Sequence, residues 1–146
     1  MKNFFIRNSL FLLLLTGCAG WSSAPQLATT CPPEDTWSIA LASLQEFELR
    51  RIDKANGVIE TEWIAVHNQK TARSGLFQRS MNEERARFIL NIAPENQGSM
   101  ITVKQIREFW SPQGVQSRAW RQVAPHEEQE RQLATRIETR LKRQAC

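Results

Sequence analysis

From residue 85 to residue 92 the chain reads Arg-Ala-Arg-Phe-Ile-Leu-Asn-Ile. Ala86, Phe88, Leu90 and Ile92 fall on one side of an extended backbone, and Arg85, Arg87, Ile89 and Asn91 fall on the other. A period of two is the signature of a β-strand with one side turned to a core. This segment constrains the whole fold, because its backbone needs partner strands and its apolar side needs a cover that a single sheet does not provide.

Two segments have the spacing to supply that cover. In CPPEDTWSIALASLQEF, residues 31–47, two prolines suit a helix start and Glu34 and Asp35 add negative charge there. Trp37, Ala40, Leu41, Leu44 and Phe47 recur at helical spacing. In PHEEQERQLATRIETRLKRQAC, residues 125–146, acidic residues lead and Arg140, Lys142 and Arg143 close. Leu133, Ala134, Ile137 and Leu141 form one narrow apolar stripe.

Between the helices, a strand around Leu49 to Ile52, the turn DKANG and a strand opening at NGVIETEW and running to about Val66 are expected to form a hairpin. In the second strand Ile59, Thr61 and Trp63 share one side, expected to face the helices, while Glu60 and Glu62 share the other. Residues 67–81 have no clean period and read as a long loop with an edge strand at Leu76 to Gln78. Pro94 is expected to end the strand of residues 85–92. In MITVKQIREFW, Ile101 and Val103 keep step, Ile106 and Trp110 fall out of phase, and a bulge between Val103 and Ile106 reconciles them. These elements predict an α+β domain, an antiparallel β-sheet of four to five strands with two helices packed on one face.

The first residues decide where such a chain works. Lys2 and Arg7 precede the apolar run Leu10 to Leu15, which is too short to span a bilayer, and Thr16 and Gly17 lead into Cys18. This is an export signal. Leu15-Thr16-Gly17-Cys18 resembles the bacterial lipobox, which implies removal of residues 1–17 and acylation of Cys18. Ala19, rather than Asp, implies sorting to the outer membrane by resemblance to proteobacterial lipoproteins. Loss of Lys2 and Arg7 lowers the 19 basic residues to 17 against 15 acidic ones, so charge gives no argument for a nucleic-acid partner. Residues 18–30, small and polar, read as a lipidated tether in which Trp21 is expected at the membrane interface. Residues 31–146 have the length of one domain.

The order of elements and three local motifs carry a further resemblance: a Trp opening the first helix, Gly57-Val58-Ile59-Glu60-Thr61-Glu62-Trp63, and an acidic start to the last helix. The chain resembles the helix-grip domain of the BamC (NlpB/DapX) family of outer-membrane lipoproteins over roughly residues 35–143. Members of that family have two such domains. The resemblance implies a helix-grip-like fold and an accessory scaffolding role in outer-membrane protein assembly, with an envelope protein as partner.

Few residues suggest chemistry. His67 and His126, the two histidines, stand at a strand end and a helix start without Cys, His or carboxylate partners at metal-ligand spacing. No cofactor or metal is expected, and no nucleophile motif is present. Glu60 and Glu62 have the chemistry of a glycosidase pair, but residues i and i+2 lie roughly 7 Å apart on the outer side of a strand. Arg85 and Arg87, at the same spacing, offer them partners, and a cross-strand charge ladder accounts for all four. That outer face is the expected partner surface. Trp37, Trp63, Trp110 and Trp120 read as core filling, or alternatively as the lining of a ligand pocket. Cys31 and Cys146 bracket the domain in an oxidising compartment. If each element reverses the last, they meet and form a disulfide; alternatively Cys146 pairs with another molecule.

The expected function is thus that of a non-catalytic, lipid-anchored scaffold or adaptor on the periplasmic face of the outer membrane. The alternative is a periplasmic binder of a lipid or cell-wall fragment. A closed cavity of several hundred Å3 beside Trp63 or Trp110 favours the binder; a filled core and a flat polar face favour the adaptor.

Overall fold

A computed structural model describes residues 23–66, 83–110 and 119–144. Cys18, Trp21, His67, Cys146 and the expected edge strand at Leu76 to Gln78 lie outside these residues. The elements run β1 (Gln26–Thr29), α1 (Pro33–Ser43), β2 (Leu49–Asp53), β3 (Val58–Thr61), β4 (Ile64–Ala65), β5 (Glu83–Glu95), β6 (Gly98–Trp110), β7 (Arg121–Val123) and α2 (Glu127–Arg143). All strand pairings are antiparallel, in the order β1-β6-β5-β3-β2, with β4 added to β5 and β7 to β6. The fold is α+β as the sequence predicts, with seven strands among the described residues rather than four or five.

The spine of the sheet is the β5–β6 hairpin, paired without a register shift from Glu83↔Trp110 to Glu95↔Gly98. Glu84, Ala86, Phe88, Leu90 and Ile92 are the buried residues of β5, as the alternation requires. Pro94 does not end this strand but pairs with Ser99. Ile92 donates its N–H toward β3, to the Gly57 carbonyl at 2.7 Å, so the nitrogen of Pro94 points to the same side. There β3 has already stopped pairing, at Asn91, and no donor is needed.

Both helices cover one face. α1 buries Trp37, Ile39 and Ala40, followed by Leu44, and α2 buries Leu133, Ala134, Ile137 and Leu141, against Ile59, Phe88, Leu90, Ile92, Ile101 and Val103 of the sheet. Burial of this apolar surface is the main favourable term of the fold. Neither helix is long and apolar enough to cross a membrane.

Part of the expected tether belongs to the sheet. Gln26–Thr29 pairs with Ser99–Thr102 of β6, Leu27 packs against the core, and Val103 donates its N–H to the Pro25 carbonyl at 3.0 Å. The approach depends on Gly98, where a Cβ would collide with the Thr29 carbonyl. Pairing satisfies backbone groups that composition alone marked as flexible.

Candidate functional site: the open face of the sheet

The face away from the helices carries the residues expected as a partner surface, in an arrangement the alternation alone does not give. Glu60 pairs with Ile89 across β3–β5, whereas Ile64 pairs with Ala86 across β4–β5, so one extra residue lies between. Glu62 and Trp63 together oppose Arg87, as in a β-bulge. Thr61 stays buried, its hydroxyl accepting the Phe88 N–H at 3.0 Å and donating to the Glu62 carbonyl at 3.0 Å. Ile64 returns to the core side. Trp63 is thereby turned outward, and the expectation that it fills the core is overturned.

On the open face Trp63 meets both arginines. The Arg85 guanidinium lies 4.2 Å from the Trp63 ring centre and 4.0 Å from that of Trp120, and the Arg87 guanidinium lies 4.5 Å from Trp63. The ladder of four charges expected from the sequence forms in part. Arg87 Nη1 pairs with Glu60 at 2.5 Å, with Arg50 at 3.9 Å from the same oxygen. Arg85 turns the other way, donating through Nε and Nη2 to Glu108 Oε2 at 2.9 and 2.7 Å. Glu62 is exposed and makes no ion pair with a described residue. The reason is again the bulge, which takes Glu62 out of step with Glu60. Arg87 Nε is buried without a hydrogen-bond partner among the described residues.

The expected bulge between Val103 and Ile106 is absent, since β6 stays in register through this stretch. Ile106 and Trp110 instead share the open face with Glu108. Gln105 and Arg107 take the covered side because the start of α2 lies against them. Gln105 Oε1 accepts the His126 N–H at 2.7 Å, and its Nε2 donates to Gln129 Oε1 at 2.5 Å. In return Glu130, almost wholly buried, accepts the Gln105 N–H at 2.7 Å. On this edge of β6, β1 pairs as far as Thr102 and β7 begins at Arg107. The Glu130 carboxylate stands where a strand carbonyl would.

Beside this clamp the buried Glu84 pairs with Arg107, and Arg107 Nη1 donates to the Ala124 carbonyl at 2.9 Å. His126 Nε2 lies 3.7 Å from Glu84. That carboxylate alone would raise the imidazole pKa, yet it is pushed below its ordinary value, first by burial and then by the Arg107 charge. His126 stands at the helix start the sequence suggests and is a half-buried member of a polar cluster there. Sequence reasoning missed Gln105, Arg107 and Glu130. Carrying the alternation straight on from Ile101 and Val103 would have placed Gln105 and Arg107 on the covered side.

Under the helices, between Phe47, Ile64, Val66, Ala86, Leu133 and Arg136, opens a cleft of about 340 Å3. No tryptophan lines it. Cys31 is fully buried, and the two other cysteines, Cys18 and Cys146, lie outside the described residues. No group of three or more His, Cys, Asp or Glu among the described residues is placed to hold a metal ion. No family model matches this chain, and no curated protein matches it.

Proposed function

We propose that this protein is a non-catalytic lipoprotein of the outer membrane, anchored through Cys18, that acts as an adaptor in envelope assembly through the open face of its sheet. The observation that carries the reading is the ordering of that face. Glu60, one of the two candidate acids, is held by Arg87 and approached by Arg50, and the bulge separates it from Glu62. A retaining or inverting pair needs two facing carboxylates with room for a sugar between them. A face of pre-set charges and rings suits recognition of a protein surface, because little side-chain freedom is lost on docking. The BamC-like order of elements adds the envelope context.

The protein-facing part of this surface is its β2–β3 half, with Arg50, Arg51, Asp53 and Glu60. A photoreactive residue at Arg51 in intact cells is expected to capture one discrete envelope protein, and the same residue at Arg131 on α2 is expected to capture none. Equal capture from both positions would remove the reading. A second reading, binding of a small lipid or cell-wall fragment, is favoured by the cleft beside Phe47 and Arg136, whose apolar walls and polar rim suit an amphiphile.

A further inference from the structure

The aromatic end of the open face and the entry of the chain into the fold lie at the same end of β6. β1 runs antiparallel to β6, and Pro25 sits beside Val103, so the chain enters from the side of the β6 terminus that bears Glu108 and Trp110. Arg87 is opposite Ile106 and Arg85 opposite Glu108. From Val103 to Ile106 is three residues of strand, roughly 10 Å. Pro25 follows Cys18 by seven residues, a span of at most roughly 25 Å when fully extended. Acyl chains on Cys18 would hold this end of the sheet close to the bilayer.

The side chains there suit that position. Indole rings favour the headgroup level, with the ring body in the apolar boundary and the N–H in the polar layer. Trp63 and Trp120 are half-buried, and stacking on Arg85 fixes them in place. Arg85 uses Nε and Nη2 on Glu108, and its Nη1, which has no hydrogen-bond partner among the described residues, suits donation to a lipid phosphate. Because Glu108 and Glu60 already neutralise the two arginines, this zone has little excess charge with which to attract an acidic protein. We infer that the Trp63–Arg85–Trp120 stack, with Trp110 beside it, rests on the phospholipid headgroup layer of the membrane in which Cys18 is anchored. The inference rests on the lipoprotein reading above, and it leaves the β2–β3 half of the face to the protein partner.

The test uses the full lipoprotein, purified from membranes and reconstituted into vesicles of phosphatidylethanolamine and phosphatidylglycerol containing brominated phosphatidylcholine, which quenches tryptophan on contact. A Trp21→Phe background removes the tryptophan of the tether. In it, quenching is expected, and Trp63→Phe with Trp120→Phe is expected to lower the quenched fraction by about half or more, while Trp37→Phe, at a site under the helices, leaves the quenched signal in place. If the paired variant fails to fold, judged by circular dichroism, Trp120→Phe alone is used, with a smaller loss expected. Intact mass reads the acyl chains separately. An acylated protein that stays in the vesicles yet shows no quenching of Trp63 or Trp120 would overturn the inference and leave the anchor standing. An unacylated protein would overturn both.

Discussion

Trp63 marks the difference between a period and a place. By alternation it belongs with Ile59 and Thr61, and replacing a core tryptophan by alanine costs about 3 to 5 kcal/mol. On the open face it makes two contacts with arginine, each worth about 0.5 to 1 kcal/mol. Trp63→Ala is therefore expected to lower stability by only about 1 to 2 kcal/mol in a urea melt, and Phe88→Ala, on the covered side, by about 3 to 5 kcal/mol. Glu130 is the opposite case, a charged residue on a helix whose loss matters. Glu130→Ala strands the buried Gln105 N–H and is expected to cost about 1 to 3 kcal/mol, whereas Glu130→Gln keeps an acceptor and should cost less. His126 adds a pH dependence with a definite sign. Its folded pKa lies below the ordinary value, so between about 6.5 and that lowered value the unfolded chain binds more protons than the folded one. Stability is expected to hold above that window and to fall as pH drops through it. His126→Gln should flatten the difference between melts at about pH 7.5 and about pH 5.5.

Strands were legible in proportion to how simply their two sides differ. β5 alternates apolar and polar residues with few exceptions, and both its existence and its buried side follow from the sequence. β6 was half legible, because Ile106 and Trp110 look like core residues, and nothing local says that the open face tolerates them between Arg and Trp side chains. β1 was not legible. QLAT is four residues long, and the feature that admits it, the bare backbone of Gly98, lies some seventy positions away. The bulge at Glu62–Trp63 was hidden for a related reason: it is set by the pairing of two strands to β5, which no window of one strand contains. The β2–β3 turn, by contrast, was announced by its residues. Asp53 Oδ1 accepts the Asn56 N–H at 3.1 Å, and Gly57 has φ +65° with its would-be Cβ against the Ile92 carbonyl. Gly57→Ala is expected to lower the melting midpoint sharply, by at least about 1 to 3 kcal/mol of strain, without changing the spectrum of the folded state.

Considered as one body, the protein is a two-layer domain whose covered face is an apolar core with a polar cluster at the start of α2, and whose open face divides into a charged half and an aromatic half. Cys31 and Leu141 both belong to the buried core, and Cys146 follows Leu141 by five residues. We propose that these two cysteines pair, which leaves Cys18 for the lipid of the proposed function. Thiol labelling of the unreduced protein should then find neither free, and Cys146→Ser should cost up to about 4 to 5 kcal/mol, the chain-entropy value for a loop of this length. A free Cys146 in the folded protein would exclude the pairing.

The edge of β6 carries a consequence for how the molecule is assembled in time. Three separate pieces complete it: β1 from near the start of the chain, the Glu130 carboxylate, and β7. A polypeptide made N-terminus first presents β1 before the other described elements, yet the partner of Gln26 is Thr102, and the carboxylate that seals the adjoining gap comes later still. Contacts of such wide sequence separation form slowly, since the loop between them must be closed before they repay its entropy. The first segment to arrive is thus among the last to lock.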